Sequence, residues 1–202
     1  MTLRKAIRFA VASVTLGAAC AAISIVLTGC SFTAGPLRSF AVKGQPIVTD
    51  AAVNVVPGQA EDATTYVINS SADPVTLVSA SLVPVAGFPI ATLKHVAVNT
   101  TWHIIGVGTN WPPGTPVRAF AGAQLPHGES AITFAISGQK AGVNYATAGL
   151  KITYRYQGQD YSVTAWSAVL ACVTTAKNVN NPAECGDKII NRLMSTVIKM
   201  AG

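Results

Sequence analysis

The sequence predicts a mainly β protein: a sandwich of short strands closed by a C-terminal α-helix and preceded by a cleaved signal helix. Three observations carry this. Short stretches of alternating apolar and polar residues recur between turns rich in glycine and proline, which is the pattern of an antiparallel sandwich rather than of a helical bundle. The last twenty residues change to a helical period. The first thirty are a basic start followed by an uninterrupted apolar run. With 202 residues, of which 50% are hydrophobic and 11% charged, the chain suits one ordinary domain with extensions. So little charge, with 17 glycines and 11 prolines, argues against a coiled coil, a long helical repeat or an acidic disordered chain.

Residues 1–29 read as a signal peptide. Arg4, Lys5 and Arg8 form a positive start with no acid nearby, and Phe9 to Thr28 is apolar or small. In this arrangement the positive end stays in the cytoplasm and the apolar run enters the translocon. The run ends in Leu27-Thr28-Gly29-Cys30, which resembles the lipobox of bacterial lipoproteins at all four positions. The resemblance covers only these thirty residues. It implies that Cys30 receives a diacylglycerol, that a dedicated peptidase cuts just before it, and that the acylated Cys30 becomes the first residue and membrane anchor of the mature protein. Two other readings of the segment remain: an uncleaved transmembrane helix, since about 20 apolar residues span a bilayer, and a plain secretory signal. Two or three acyl chains at about 0.8 kcal/mol per buried CH₂ hold a protein firmly where one does not.

Cleavage changes the charge balance. Three of the fourteen basic residues and none of the eight acids lie in the first 29 positions, so eleven basic residues face eight acids and the net charge falls from +6 to +3. No basic cluster remains, and nucleic acid is not an expected partner. Of the four cysteines, Cys20 leaves with the signal and Cys30 is taken by lipid. Cys172 and Cys185 remain, an even pair in an oxidising compartment, and a disulfide between them is expected. It closes a loop of 13 residues, worth about 3 kcal/mol in the chain-entropy account. A metal or redox pair is the rival reading. It would call for a C-x-x-C spacing or an intervening histidine, and the segment has neither.

Residues 30–60 are expected to be a membrane tether with possible first short strands near Ser39 or Ile47, and 61–175 the β-sandwich domain. Thr65-Tyr66-Val67-Ile68 is β-branched and aromatic and runs into the turn cluster Asn69-Ser70-Ser71-Ala72-Asp73-Pro74. Val75 to Val83 alternates and stops at Pro84, and Ile132 to Ile136 alternates again. Leu150 to Tyr156 puts Leu150, Ile152, Tyr154 and Tyr156 on one face and Lys151, Thr153 and Arg155 on the other, a half-buried strand. A four-residue turn at 157–160 then sends Tyr161 to Cys172 back as its partner. The far end of this partner strand is apolar on both parities and so suits burial on both faces. Leu125-Pro126-His127-Gly128-Glu129-Ser130 ahead of a strand, and Gly149-Leu150 opening a hairpin, resemble turns of immunoglobulin-like domains of exported bacterial proteins. This resemblance spans residues 125–172 and implies an immunoglobulin-like sandwich, with Tyr145 a loose match to a tyrosine corner. Asn69 and Asn99 stand in N-x-[ST] sequons and are read as turn residues.

Residues 176–202 are expected to hold an amphipathic helix. Asn181-Pro182-Ala183-Glu184 reads as an N-cap, a proline in the first helical position and an acid at the third. Cys185, Ile189, Leu193 and Val197, with Ile190, Met194 and Ile198, then form one apolar stripe. The stripe is expected to pack on the sandwich; docking to a partner or lying on a membrane is the alternative.

Signals of chemistry are sparse. No H-x-H or H-E-x-x-H occurs, and no cofactor is implied. Gly128-Glu129-Ser130 begins like a nucleophile elbow but lacks the second glycine and the α/β setting. Glu61 and Asp62 are adjacent, so a strand would point them to opposite faces, unlike the facing carboxyls of a glycosidase. Residues 86–128 are long and irregular and contain His95, His103, His127, Trp102 and Trp111. Trp111-Pro112-Pro113-Gly114 is a stiff turn able to hold an indole toward a sugar ring or a partner protein. These five residues are the expected ligand surface if one exists, with packing over the end of the core as the plainer role. The reading favoured is a membrane-anchored lipoprotein of the cell envelope, on the extracytoplasmic face, acting as a non-catalytic binding or accessory protein toward an envelope protein or cell-wall glycan. A cell-wall glycan-binding module or small enzyme using residues 86–128, and a metal carrier using the three histidines, are the alternatives.

Overall fold

In the computed structural model, described for residues 34–42, 45–46, 49–99, 117–175 and 185–202, the chain forms β1 (Leu37–Ser39), β2 (Ala41–Val42), β3 (Gln45–Pro46), β4 (Thr49–Val55), β5 (Ala60–Asn69), β6 (Val75–Leu82), β7 (Thr92–Asn99), β8 (Val117–Ala119), β9 (Gln124–Leu125), β10 (Gly128–Ser137), β11 (Val143–Tyr156) and β12 (Gln159–Val173), then α1 (Asp187–Ala201). Among the described residues there are two five-stranded sheets, in the orders β1-β5-β10-β7-β8 and β4-β12-β11-β6-β9, and a small β2–β3 ribbon. Neighbouring strands are antiparallel except β4, which runs parallel to β12. The orders β1-β5-β10-β7 and β4-β12-β11-β6 are those of an immunoglobulin-like sandwich whose first strand is divided between the sheets. The expected fold class, a mainly β immunoglobulin-like sandwich with a C-terminal helix, is therefore observed. β1 and β4 place residues ahead of 61 in both sheets, and Gly35–Gly202 forms one compact unit.

Alternation drives the strands inward on one parity. Val67 on β5, Ile132, Phe134 and Ile136 on β10, Leu150, Ile152 and Tyr154 on β11, and Val169 on β12 meet between the sheets and are fully buried. Tyr154 brings a hydroxyl into this core, where it accepts a hydrogen bond from the Leu37 amide at 3.2 Å and so ties β1 to the opposite sheet. Asn69 serves its turn as expected: its amide donates to the carbonyls of Asp73 and Leu125, and its Oδ1 accepts from Ser71. The β11–β12 turn is tighter than the sequence suggested. Gln157 and Gly158, both at positive φ, make a two-residue hairpin of the kind whose twist matches the strands. Gln159 and Asp160 already pair with Tyr156 and Arg155. Tyr145, the loose match to a tyrosine corner, stands inside β11, opposite Ala171.

A register shift between Thr147 and Gly149 decides what the second sheet shows to each side. Gly149 sits at φ +133, and a Cβ there would meet the Ala165 carbonyl oxygen, so only glycine fits this bulge. Across it, even-numbered residues change faces. Ala146 and Ala148 look outward, whereas Leu150, Ile152 and Tyr154 look into the sandwich. Small outward side chains leave room for a helix. Leu193 and Val197 of α1 are buried there against Ala146, Ala148, Ala168, Leu170 and Cys172, with Ile189, Ile190 and Met194 partly covered. The helix thus packs on the sandwich, and β12 is covered on both faces near its end. Ile198, placed in the apolar stripe by its spacing, is 55% exposed because it lies on the side of the helix turned from the sheet.

The disulfide between Cys172 and Cys185 is present, with Cα atoms 5.6 Å apart. It holds the approach to α1 against the end of β12. Cys185 precedes the helix rather than lying in its first turn. Helical residues begin at Asp187, after Gly186 as N-cap with no side-chain capping bond. The cap expected at Asn181-Pro182-Ala183-Glu184 lies outside the described residues.

Candidate functional site

The lipobox Leu27-Thr28-Gly29-Cys30 and three members of the expected ligand surface, Trp102, His103 and Trp111, lie outside the described residues. The other two, His95 and His127, are not brought together. His95 faces Ala135 across β7 and β10, and His127 directly precedes Gly128 at the start of β10. Eight strand residues separate the two levels, on the order of 25 Å. His127 Nδ1 lies 2.9 Å from the Ser71 carbonyl oxygen, where it donates and closes the turn. Among the described residues no group of three or more His, Cys, Asp or Glu converges on a point that could hold a metal ion.

His95 instead meets an acid. Asp62, Ala135 and His95 stand in one row across β5, β10 and β7. His95 Nε2 donates to Asp62 Oδ1 at 3.1 Å, with the carboxylate fully buried and the imidazole side chain 41% exposed. Such a pair can orient an imidazole for base catalysis. Ser137, two residues along β10 on the same face, has a buried hydroxyl with no hydrogen-bond partner. The serine–histidine contact of a nucleophilic site is therefore not made there. Ser130 pairs across to Val67 within β10, as an ordinary strand residue.

Glu61 does point away from Asp62, as adjacent strand residues must, but both are fully buried, which the sequence reading missed. Glu61 lies opposite Ile136 on the side of β5 that carries Ala63 and Val67 into the core. Neither carboxyl oxygen has a hydrogen-bond partner. Burial pushes its pKa well above the usual carboxylate range, and the neighbouring Asp62 charge pushes it the same way. The Glu61 carboxyl thus sits in the apolar interior, where burial disfavours its charged form. The available signal was the position of the acidic pair: in Ala60-Glu61-Asp62-Ala63 it stands inside a strand rather than in a turn.

A groove of about 400 Å³ opens at the other side of the second sheet, between the β6–β7 connection, the start of β11 and α1. Gly87, Phe88, Asn144, Lys188, Ile189 and Arg192 contribute to its walls. The Arg192 guanidinium lies over the Phe88 ring, 5.4 Å from its centre, a cation–π contact. Gly87 makes this possible. It has φ +80, and a Cβ there would stand 2.5 Å from Arg192 Nη2. Gly87 and Phe88 fall in the stretch 86–128 where the sequence predicts a ligand surface. The α1 cations lie about a hundred residues from Phe88 in the chain, and no local pattern places them beside it.

Comparison with protein-family models gave no match, and neither did comparison with curated proteins. Solved structures with a likeness in chain path include the following two. The PapD-like domain 7 of human CEP192 is 10% identical over 68% of this chain and 96% of that one, with a TM-score of 0.34. The Vibrio cholerae VesB protease is 12% identical over 61% of this chain, with a TM-score of 0.31, and the match spans only 30% of the protease. At these scores neither likeness bears on the function of this chain.

Proposed function

We propose that this protein is a lipoprotein of the cell envelope, held on the extracytoplasmic face of a membrane by acylated Cys30, whose sandwich acts as a non-catalytic binding or accessory subunit. The observation that carries this reading is Leu27-Thr28-Gly29-Cys30 at the end of a basic-then-apolar leader. The Cys172–Cys185 disulfide supports it, because structural disulfides persist in oxidising compartments outside the cytoplasm. An immunoglobulin-like sandwich is compatible with this binding role.

The test is metabolic labelling with an alkyne fatty acid, combined with mass determination of the mature N-terminal peptide. The wild-type chain should carry label on Cys30 and begin there. Cys30→Ala should remain full length, lose the label and leave the acylated membrane fraction. A native chain that starts at any other residue, or a Cys30→Ala variant that is still labelled and processed, overturns the anchor. In vivo crosslinking of the lipidated protein then tests the binding role, which fails if no discrete adduct forms from any exposed position.

A further inference from the structure

The groove beside α1 has a chemical bias. Its walls are largely apolar, through Phe88 and Ile189, and they carry two cations, Lys188 and Arg192, with no acid among the lining residues. The acid closest in sequence, Asp187, is about 100° round the helix from Lys188. Among the described residues neither Lys188 nor Arg192 is in an ion pair with a carboxylate. Arg192 is positioned rather than free, held over Phe88 in the space that Gly87 leaves open. Ile90, the residue after the lining Pro89, is a large apolar side chain that is 67% exposed. The disulfide and the buried Leu193 and Val197 hold this part of α1 against the sheet, so the cations have a fixed frame.

We propose that this groove docks an extended acidic segment of a partner protein, with carboxylates on alternate residues followed on the same face by an apolar side chain. The proposal rests on the binding reading above and names the class of partner. Charge complementarity selects the acids, and spacing selects their arrangement. Lys188 and Arg192 are one helical turn apart, about 6 Å along the axis. Residues i and i+2 of an extended chain are about 6.5–7 Å apart on one face. Two carboxylates at that interval reach one cation each, and the next residue on that face meets Phe88, Ile189 and the exposed Ile90. The Arg192 fork, stacked on an aromatic ring, favours a carboxylate that accepts two N–H groups.

The test uses the full lipidated chain in detergent micelles and fluorescein-labelled peptides. The acidic probe is Ser-Glu-Ser-Glu-Ser-Leu-Ser, and the control replaces both glutamates by lysine. The acidic peptide should bind at low salt and weaken as salt rises. The double variant Lys188→Gln with Arg192→Gln should weaken it by roughly tenfold, with an unchanged thermal midpoint. Arg192→Lys, which keeps the charge and loses the planar fork, should fall between. Amide shifts induced by the peptide should centre on Gly87, Phe88 and Asn144. Equal binding of the two peptides, no binding of the acidic one, or binding indifferent to the double variant overturns the proposal. So does binding of the same residues to vesicles of anionic lipid in preference to the peptide, which would assign the surface to a membrane. If Cys30 is acylated and crosslinks form from other surfaces but not from Ile90, the envelope-binding reading stands and this groove alone is rejected.

Discussion

The two faces of the second sheet are built on different plans. Between the sheets, large side chains such as Phe134, Leu150, Ile152 and Tyr154 interdigitate and are fully buried. On the outward face Ala146, Ala148 and Ala168 form a shallow floor, and only Leu193 and Val197 of α1 are buried there. The first plan makes the core a property of the whole sandwich, because β1, β4, β5, β6, β7, β9, β10, β11 and β12 all contribute buried side chains to it and none can leave without opening a cavity. The second makes the helix an attachment, held by a few side chains and one covalent bond. The difference teaches that the helix, and with it the charged side of the groove, has its own stability separate from that of the scaffold.

The sharpest way to break this comparison is to remove a large inner side chain. Phe134→Ala should cost about 3–5 kcal/mol and shift the denaturant midpoint of sandwich and helix together. An unchanged midpoint for the sandwich would show that the inner core is not the cooperative unit described. Next in size is the staple. Replacing Cys172 and Cys185 by alanine, or reducing them, should cost about 3 kcal/mol for a 13-residue loop. Hydrogen exchange should then accelerate in α1 while β10 amides stay protected. Loss of protection in β10 to the same extent would mean that the two faces are one unit.

The smallest effect concerns Glu61, a carboxyl on the inner plan. Its pKa is raised on folding, so between its unfolded value near 4.5 and its higher folded value the native state binds the extra proton. The contribution of Glu61 to stability is therefore full below about pH 4.5 and declines as pH rises toward the folded pKa. Glu61→Leu should stabilise the protein at neutral pH by roughly 1–3 kcal/mol and flatten that slope, read from urea midpoints at pH 5 and pH 8. A variant less stable than the wild type at pH 8 would show that the carboxyl has a partner in the core.

Most of the strand pattern was legible because alternation is a local signal. Val75 to Leu82, Ile132 to Ile136 and Leu150 to Tyr156 could be placed from period two alone, and the tail helix from its stripe. The candidate site was far less legible. The histidines drew attention as residue types that do chemistry, yet His95 pairs with Asp62 on a sheet and His127 closes a turn. Lys188 and Arg192 looked like the solvated side of a helix, and only the packing of α1 set Arg192 on Phe88.

The sequence by itself determined the strands at Val75–Leu82, Ile132–Ile136 and Leu150–Tyr156, the helix, the pairing of Cys172 with Cys185 and the lipobox expectation, since each depends on residues near one another in the chain or on a short count of cysteines; β7 (Thr92–Asn99) lies in the stretch read as irregular and was not legible there. Tertiary structure alone decided which side of β11 meets the helix, because one bulge at Gly149 exchanges the faces of a strand. It also decided that Glu61 and Asp62 are both enclosed, and that Gly87 and Phe88 meet Arg192. These are consequences of strand order and register. Both are set by the summed packing of distant segments, and no local periodicity encodes that sum.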